Sequence, residues 1–375
     1  VRVWAFIFLH RTHRVFDLLI MGTLTLQHLA KRYDDWELLI DLHVHNGEFM
    51  TLLGPSGCGK TTTLRLIAGF LQPDEGHIML DHVCLDTVPP FRRNIGVVFQ
   101  EYALFPHMTV FQNIAFGMKM RQRYTKQMIQ ARVEELLAVV GLDGYARRYP
   151  DQLSGGEQQR IALLRALAPS PSMLLLDEPL SALDFQLRKR LRQEIRKIQR
   201  QFGITTVYVT HDQEEAMSIS DRITVMKDGG VQQIGAPIDI YQHPQTAHVA
   251  EFIGISNILS GHIIQCDAMR CFVQVGQHTL EIPVSDGVHL HDEVTVFFRP
   301  EDCALSLEPG APNAIRGTVA VHEYLGAEIL TTVQTSDHQA IQVSEYIKNM
   351  RLPLHEGCDI FVNIPADACH LVKQA

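Results

Sequence analysis

Glu48-Phe49-Met50-Thr51-Leu52-Leu53-Gly54-Pro55-Ser56-Gly57-Cys58-Gly59-Lys60-Thr61-Thr62 decides the fold. Glu48–Leu53 reads as a strand that stops at Gly54. Lys60–Ala68 reads as a helix, with Leu64, Ile67 and Ala68 on one side and Gly69 as its stop. Between them lies the pattern G-x-x-x-x-G-K-[ST]. Strand, glycine loop and helix is the arrangement that phosphate binding needs. Backbone N–H groups of the loop and the positive end of the helix point at the anion. Lys60 adds a point charge, and the Thr61 hydroxyl can ligate Mg²⁺. The candidate nucleotide-binding residues here are therefore Gly54, Pro55, Ser56, Gly57, Cys58, Gly59, Lys60, Thr61 and Thr62.

Outward from this loop, the 375 residues suggest two or three domains, and 46% apolar content is enough for substantial cores. A net charge of −9 argues against a nucleic-acid partner. Seven cysteines without a C-x-x-C pair fit a reducing compartment better than a disulfide framework. No segment approaches the roughly 18–20 apolar residues of a membrane helix. The apolar run Val3–Leu9 is short, and His10, Arg11, His13 and Arg14 follow it without a small-residue cleavage site. Residues 1–21 read as an N-terminal extension, with an amphipathic membrane-surface segment as the alternative.

From Leu24 to about Gly235, short apolar strands alternate with helical stretches, which implies an α/β unit with a mostly parallel sheet. Further strands are expected at Ile95–Phe99, Met173–Leu176, Thr205–Val209 and Ile223–Met226. Met173–Leu176 is continuously apolar, as in a strand buried on both faces. Val110–Val140 is strongly helical, and another helix is expected over about Gly155–Leu167. After Tyr241 the texture becomes β-rich, with strands expected at Ile258–Ile264, Cys271–Val275, Thr279–Ile282, Glu293–Phe298, Ile315–Val321, Ile329–Gln334 and Ile360–Asn363. Val275-Gly276-Gln277-His278 looks like a hairpin turn. Residues 241–375 thus read as a small all-β barrel of OB type. The pairs His43/His45 and His289/His291 are each expected on one strand face, turned to solvent.

Gly54, Gln100, Asp177 and His211 each fall at or just past the C-terminal end of an expected strand. In open parallel sheets that edge is where ligands bind. Asp177 and Glu178 supply adjacent carboxylates. Asp177 can sit in the Mg²⁺ shell. Glu178 can accept a proton from the attacking water, or orient it. Gln100 can touch both metal and water without adding charge, so Thr61, Gln100 and Asp177 form the candidate metal set.

The phosphate loop returns in partnership with Leu153-Ser154-Gly155-Gly156. With that second motif the chain resembles the ATP-binding-cassette (ABC) family from about Leu24 to its C-terminus. The resemblance implies a P-loop NTPase cassette over residues 22–240, a helical subdomain over about 101–168, and a β-barrel accessory domain behind them. It implies ATP hydrolysis with Mg²⁺, His211 contacting the γ-phosphate, and Glu178 and His211 as catalytic residues. It sets an aromatic residue, Tyr33, against adenine, a role for which Trp36 competes. Tyr102–Met108, an apolar loop expected to be exposed, resembles the segment that docks onto membrane subunits. Ser154, Gly155 and Gly156 form a second phosphate reader in a chain with one phosphate loop. That makes sense if the reader serves another subunit's ATP, as the family does, and Leu180–Asp184 would lie along the same dimer interface, with Asp184 in it. Glu157 stands where the family usually has Gln.

The resemblance further implies an importer's ATPase subunit at the cytoplasmic face of the membrane. It would work as a homodimer with two integral membrane permease subunits and, through them, an extracytoplasmic solute-binding protein. His107–Gly117, and Leu187-Arg188-Lys189 leading to Gly203-Ile204-Thr205, look most like spermidine/putrescine importers. Ferric-iron and thiamine importer ATPases share nearly all of this. A soluble ABC ATPase acting on ribosomes or DNA-repair complexes would carry two cassettes or a coiled-coil insertion. Here there is one cassette and a β-rich tail.

Overall fold

The structure, a computed structural model, describes residues 22–121, 123–181, 183–284, 287–310, 312–349 and 355–373. The extension expected at residues 1–21 lies outside the described residues. The chain divides into two compact units between Pro237 and Ile238, close to the expected change of texture at Tyr241.

In the first unit, β1 (Leu24–Tyr33) and β2 (Trp36–Val44) form a hairpin, and β3 (Phe49–Leu53) leads to helix α1 (Lys60–Ala68). After β4 (Glu75–Leu80), β5 (Val83–Cys84) and β6 (Ile95–Val98) come three helices, α2 (Val110–Met120), α3 (Lys126–Val139) and α4 (Gly155–Leu167). The unit closes with β7 (Met173–Asp177), α5 (Phe185–Phe202), β8 (Thr205–Thr210), α6 (Gln213–Ile219), β9 (Arg222–Lys227) and β10 (Gly230–Gly235).

Six strands form one sheet in the order β10-β9-β3-β8-β7-β6. It is parallel except for the β9–β10 pair. The unbroken apolar run of β7 is buried on both faces, as its composition demands. Met173 and Leu175 join one core with Leu64, Ile67 and Val207, while Leu174 and Leu176 join another with Leu163, Leu191 and Ile195. A second sheet, antiparallel in the order β2-β1-β4-β5, covers the first core. In β2 alternate residues Leu38, Ile40, Leu42 and Val44 point inward. The helices α2, α3 and α4 share a core of their own around Ile114, Val133, Leu136 and Ile161.

The helical stretch expected over Val110–Val140 is broken in two. The first helix ends at Arg121, and the Thr125 hydroxyl accepts the Met128 N–H to start the second. A threonine at that position satisfies helix-end N–H groups better than it continues a helix.

The second unit is all-β apart from short helical turns. Its strands are β11 (Asn257–Cys266), β12 (Arg270–Val275), β13 (His278–Pro283), β14 (Glu293–Phe298), β15 (Ala304–Ser306), β16 (Asn313–Tyr324), β17 (Glu328–Thr335), β18 (Ala340–Tyr346), β19 (Asp359–Ile364) and β20 (His370–Lys373). Two five-stranded antiparallel sheets, β13-β12-β11-β14-β20 and β15-β19-β16-β17-β18, enclose one core that includes Val273, Val296, Val333 and Val362. Val275 pairs with His278 across a two-residue turn in which Gly276 takes φ +54°.

Two sequence expectations are corrected here, and a third holds in part. Cys266 and Cys271 face each other across the β11–β12 ladder and are joined as a disulfide, although cysteine spacing argued against bridges. His289 and His291 lie in the turn before β14, not on a strand, and His291 is left-handed (φ +72°). His43 lies in β2 but His45 follows its end, their rings 4.7 Å apart.

Candidate nucleotide-binding site

The phosphate loop owes its shape to glycine at two points. A Cβ on Gly54 would lie 2.4 Å from the Met226 carbonyl oxygen on β9. Gly59 has φ +107°, and a Cβ there would meet Leu38 at 2.8 Å and Trp36 at 3.0 Å. No L side chain fits either place without moving backbone or core. Gly59 is also the N-cap of α1, and with no side chain it leaves the helix's first N–H groups facing the loop. Lys60 is 5% exposed; its ammonium donates to the carbonyls of Gly54 (2.7 Å) and Pro55 (2.9 Å). Its charge is thus held across the loop on carbonyls rather than on a carboxylate. Cys58 sits behind it, and burial pushes that thiol up.

Thr61 and Thr62 follow in the first turn of α1. The Thr61 hydroxyl donates to Asp177 Oδ1 at 3.3 Å. Burial raises the Asp177 carboxyl and the adjacent Glu178 charge adds to this, while the Thr61 hydrogen bond opposes it. A hydroxyl beside a carboxylate that lacks a full countercharge is a donor set suited to a hard dication.

Neighbouring strand ends bring the remaining groups in. Leu53 pairs with Thr210, Asp177 with Val209, and Val98 with Leu176. Glu178 stands just past β7 in a left-handed conformation, φ +43°, which non-glycine residues rarely adopt. Its Oε1 lies 3.3 Å from His211 Nδ1. Gln100 Nε2 donates to the Ser181 hydroxyl (3.1 Å), which donates to the Glu178 carbonyl (3.0 Å). The structure therefore joins the loop, Thr61 and Asp177 in one cluster, and Glu178, His211 and Gln100 in a second. Gln100 reaches its cluster through Ser181.

Tyr33 and Trp36 face each other across the β1–β2 turn, ring centroids 5.8 Å apart. Trp36 packs into the core beside Gly59, whereas Tyr33 is 48% exposed.

Ser154 caps α4. Its hydroxyl accepts the Glu157 N–H (3.4 Å), and Glu157 Oε2 accepts both the Ser154 N–H (2.7 Å) and hydroxyl (2.9 Å). The Ser154 N–H is the main reason the Glu157 carboxyl sits below its ordinary range. The hydrogen bonds of Ser154 thus stay within its own helix start. Gly155 and Gly156 let α4 approach Leu183 and Leu187, at 3.2 and 3.1 Å from a would-be Cβ. Asp184, exposed, caps α5 through the Leu187 N–H (3.0 Å).

The loop Tyr102–Met108 differs from the open apolar surface its composition suggested. Tyr102 is buried, Leu104 and Phe105 are half-buried, and Phe105 packs on Phe116 with centroids 4.7 Å apart. Pro106 and His107 are exposed. Two residues to which the sequence reading gave no role of their own hold this loop. Asn113, fully buried, accepts the Phe105 N–H (2.9 Å) and donates to the carbonyls of Phe105, Met108 and Thr109, each at 3.1 Å. Arg165 on α4 donates to the carbonyls of Ala103 (2.6 Å) and Tyr102 (2.9 Å) and lies over the Phe105 ring. A third, Arg188, ties the Leu183 carbonyl (3.1 Å) to Asp212 (3.1 Å) behind His211. An asparagine inside an apolar helix face was the one available signal.

Known proteins resemble the chain in both units. Residues 39–181 match the family described as ABC transporter, and residues 296–372 match the TOBE domain. The spermidine/putrescine import ATP-binding protein PotA of Marinobacter nauticus is 45% identical over 331 residues, covering 86% of this chain and 87% of the relative. Among solved structures, the ATP-binding cassette MJ0796, dimeric in a post-hydrolysis state with ADP and Pi, is 31% identical with a TM-score of 0.51, over 57% of this chain and 98% of that one. CbiO1 from Clostridium perfringens, part of the ABC transporter complex cbiONQ, is 29% identical with a TM-score of 0.54, over 59% of this chain and 90% of that one.

Proposed function

The chain belongs to the ABC transporter family, and on that premise we propose that it is the ATP-hydrolysing subunit of an importer for spermidine and putrescine. One observation carries the catalytic part. A buried ammonium and a helix start without a side-chain cap face the same loop, and a hydroxyl–carboxylate pair lies beside it. That arrangement receives a polyphosphate with its metal.

In this reading Lys60 and the N–H groups of Gly57–Thr62 hold the phosphates, and Tyr33 offers its exposed ring to adenine. Thr61 and Asp177 hold Mg²⁺, and Gln100, just past the end of the strand that neighbours β7, is the third ligand. Bound there, the ion would withdraw charge from the phosphate oxygens. Glu178 accepts the proton of, or orients, the attacking water, and His211 steadies Glu178 at its other side. Ser154, Gly155, Gly156 and Glu157 serve the ATP of a second copy, and Asp184 lies in that interface.

Pairing with integral membrane permeases places the chain peripherally at the cytoplasmic face, and a solute-binding protein would act through the permeases. Among the described residues no helix is long and apolar enough to cross a membrane. The importer class and the polyamine assignment are supported by the name of the relative, the transporter ATPase by family membership. Residues 241–375 serve as the accessory domain.

The test has two arms. Lys60→Ala is expected to lose ATP affinity and turnover, because a buried phosphate loses its fixed countercharge. Near-normal ATPase activity in that variant would refute the nucleotide site. Uptake of labelled spermidine into cells carrying the chain with its permeases tests the cargo; uptake that is indifferent to the chain refutes it.

A further inference from the structure

A cluster of unlike donors lies away from the nucleotide loop, on the β4–β5 hairpin. Met79 pairs with Cys84, and the Leu85 N–H donates to the Ile78 carbonyl (2.8 Å), so the ladder continues past the strand end. That register sets Asp86 opposite His77. Side chains of alternate residues share a face, so Cys84 and Asp86 project together beside His77. The structure bears this out. His77 Nδ1 lies 2.8 Å from Asp86 Oδ2, the Cys84 thiol donates to the same oxygen at 3.1 Å, and the three ligand atoms all lie within 4.8 Å of one another.

The other carboxylate oxygen, Oδ1, accepts the Ile78 N–H at 2.8 Å, which fixes the carboxylate and leaves Oδ2 turned to the other two. Two polar hydrogens, from an imidazole and a thiol, thus converge on one carboxylate oxygen, where a cation could replace them. His77 and Cys84 are exposed, so an ion reaches the cluster from solvent. The charge of Arg93 reaches Asp86 and Cys84, but its guanidinium donates to the carbonyls of Val88, Leu66 and Ile67.

We propose that His77, Cys84 and Asp86 bind a Zn²⁺ ion with water in the fourth position. One nitrogen, one sulfur and one oxygen ligand match a borderline-soft ion, whereas Mg²⁺ and Ca²⁺ select oxygen alone. Tetrahedral zinc bonds place such ligand atoms about 3.3–3.6 Å apart, so the two contacts to Asp86 need to open by about half an ångström and the His77–Cys84 pair, within 4.8 Å, to settle into the same range, all within reach of side-chain rotation. On binding, Cys84 releases its proton to solvent and ligates as thiolate. His77 ligates through Nδ1 as a neutral imidazole, its proton passing through solvent from Nδ1 to Nε2.

The full chain, nucleotide-free and without added Mg²⁺, is titrated with Co²⁺ as a spectroscopic stand-in. A thiolate-to-cobalt charge-transfer band is expected, saturating at one ion per chain, abolished by excess Zn²⁺ and lost in Cys84→Ser. His77→Gln is expected to weaken it. Absence of the band overturns the proposal. So does a band that survives Cys84→Ser, which would place the ion elsewhere, for example at Cys358 and His355. Alkylation of Cys84 by iodoacetamide, read by peptide mass, provides a measurement on the unaltered chain. Zn²⁺ is expected to protect Cys84, and an unchanged rate of labelling refutes the site.

Discussion

Replacing Asn113 with alanine isolates the loop Tyr102–Met108 from the nucleotide site. The amide makes four hydrogen bonds to the backbone of Phe105, Met108 and Thr109 from a fully buried position. Their loss leaves the Phe105 N–H without its acceptor and three carbonyls without this donor. At about 1 kcal/mol net per bond, with about 0.5 kcal/mol returned by the better helix propensity of alanine, the loop loses about 2–4 kcal/mol. At about 1.4 kcal/mol per decade, local opening becomes roughly 30- to 700-fold more frequent. Amide hydrogen exchange resolved by peptide is the assay, with faster exchange expected over residues 103–109. The side-chain hydrogen bonds of Asn113 all go to residues 105–109, so exchange in β7 and β8 and the basal ATPase of the isolated chain should stay within about twofold, and transport-coupled activity should fall. Unchanged exchange over 103–109 in the folded variant would refute the reasoning. Equal loss of basal and coupled activity would show that Asn113 supports the whole unit rather than this loop.

Glu178→Gln should keep ATP binding while slowing hydrolysis by about 10²–10⁴-fold, the usual worth of a positioned base; single-turnover kinetics with unimpaired hydrolysis would exclude Glu178 as the catalytic group. Mixing a Lys60→Ala chain with a Ser154→Arg chain, each inactive alone, should restore some activity. One of the two composite sites then pairs an intact loop with an intact signature; differential tagging confirms the heterodimer, and no recovery in confirmed heterodimers counts against reading ATP across the interface. Glu215 is buried and accepts the Tyr208 hydroxyl (2.8 Å) and the Thr210 hydroxyl (2.7 Å), and burial raises its carboxyl. Its stabilising effect is full below the unfolded carboxylate pKa and is lost as pH rises through the higher folded value. Denaturant midpoints should therefore favour Glu215→Gln increasingly as pH rises through that window, and a pH-independent difference would refute this.

The strand–loop–helix around Gly54 was legible because each residue there has a single use: β7 must be apolar throughout, and the loop must have glycine. The carboxylates followed from strand ends, since a parallel sheet converges them without tertiary information. The antiparallel sheet was not anticipated. In β1 the alternation is interrupted by a register shift between Leu26 and Leu29, where His28 takes φ +45°. β15, β18 and β20 were missed because short or polar-faced edge strands carry little periodic signal. Thr125 did carry a readable helix start, hidden by helix-forming residues on both sides. Tyr33 and Trp36 were inseparable in sequence, and only their unequal burial separates them. The Cys266–Cys271 pair could not be found from spacing, because it depends on the register of two strands. The buried amide of Asn113 and the carbonyl-gripping Arg165 act on backbone, and backbone contacts leave no partner residue to recognise.

Helix α4 carries Ser154 at its start and, eleven residues on, Arg165, whose guanidinium holds the Tyr102 and Ala103 carbonyls. A helix of that span is a rod of about 16 Å. Were Ser154 to meet a phosphate, the rod would join two places: a shift in either would be felt at the other, equally in both directions. A membrane partner seated on Pro106 and His107 would then communicate by displacement alone. Such a message has no chemical spelling, so one engine can be coupled to different cargoes by exchanging the few surface residues it is pushed on, leaving the hydrolytic machinery as it is.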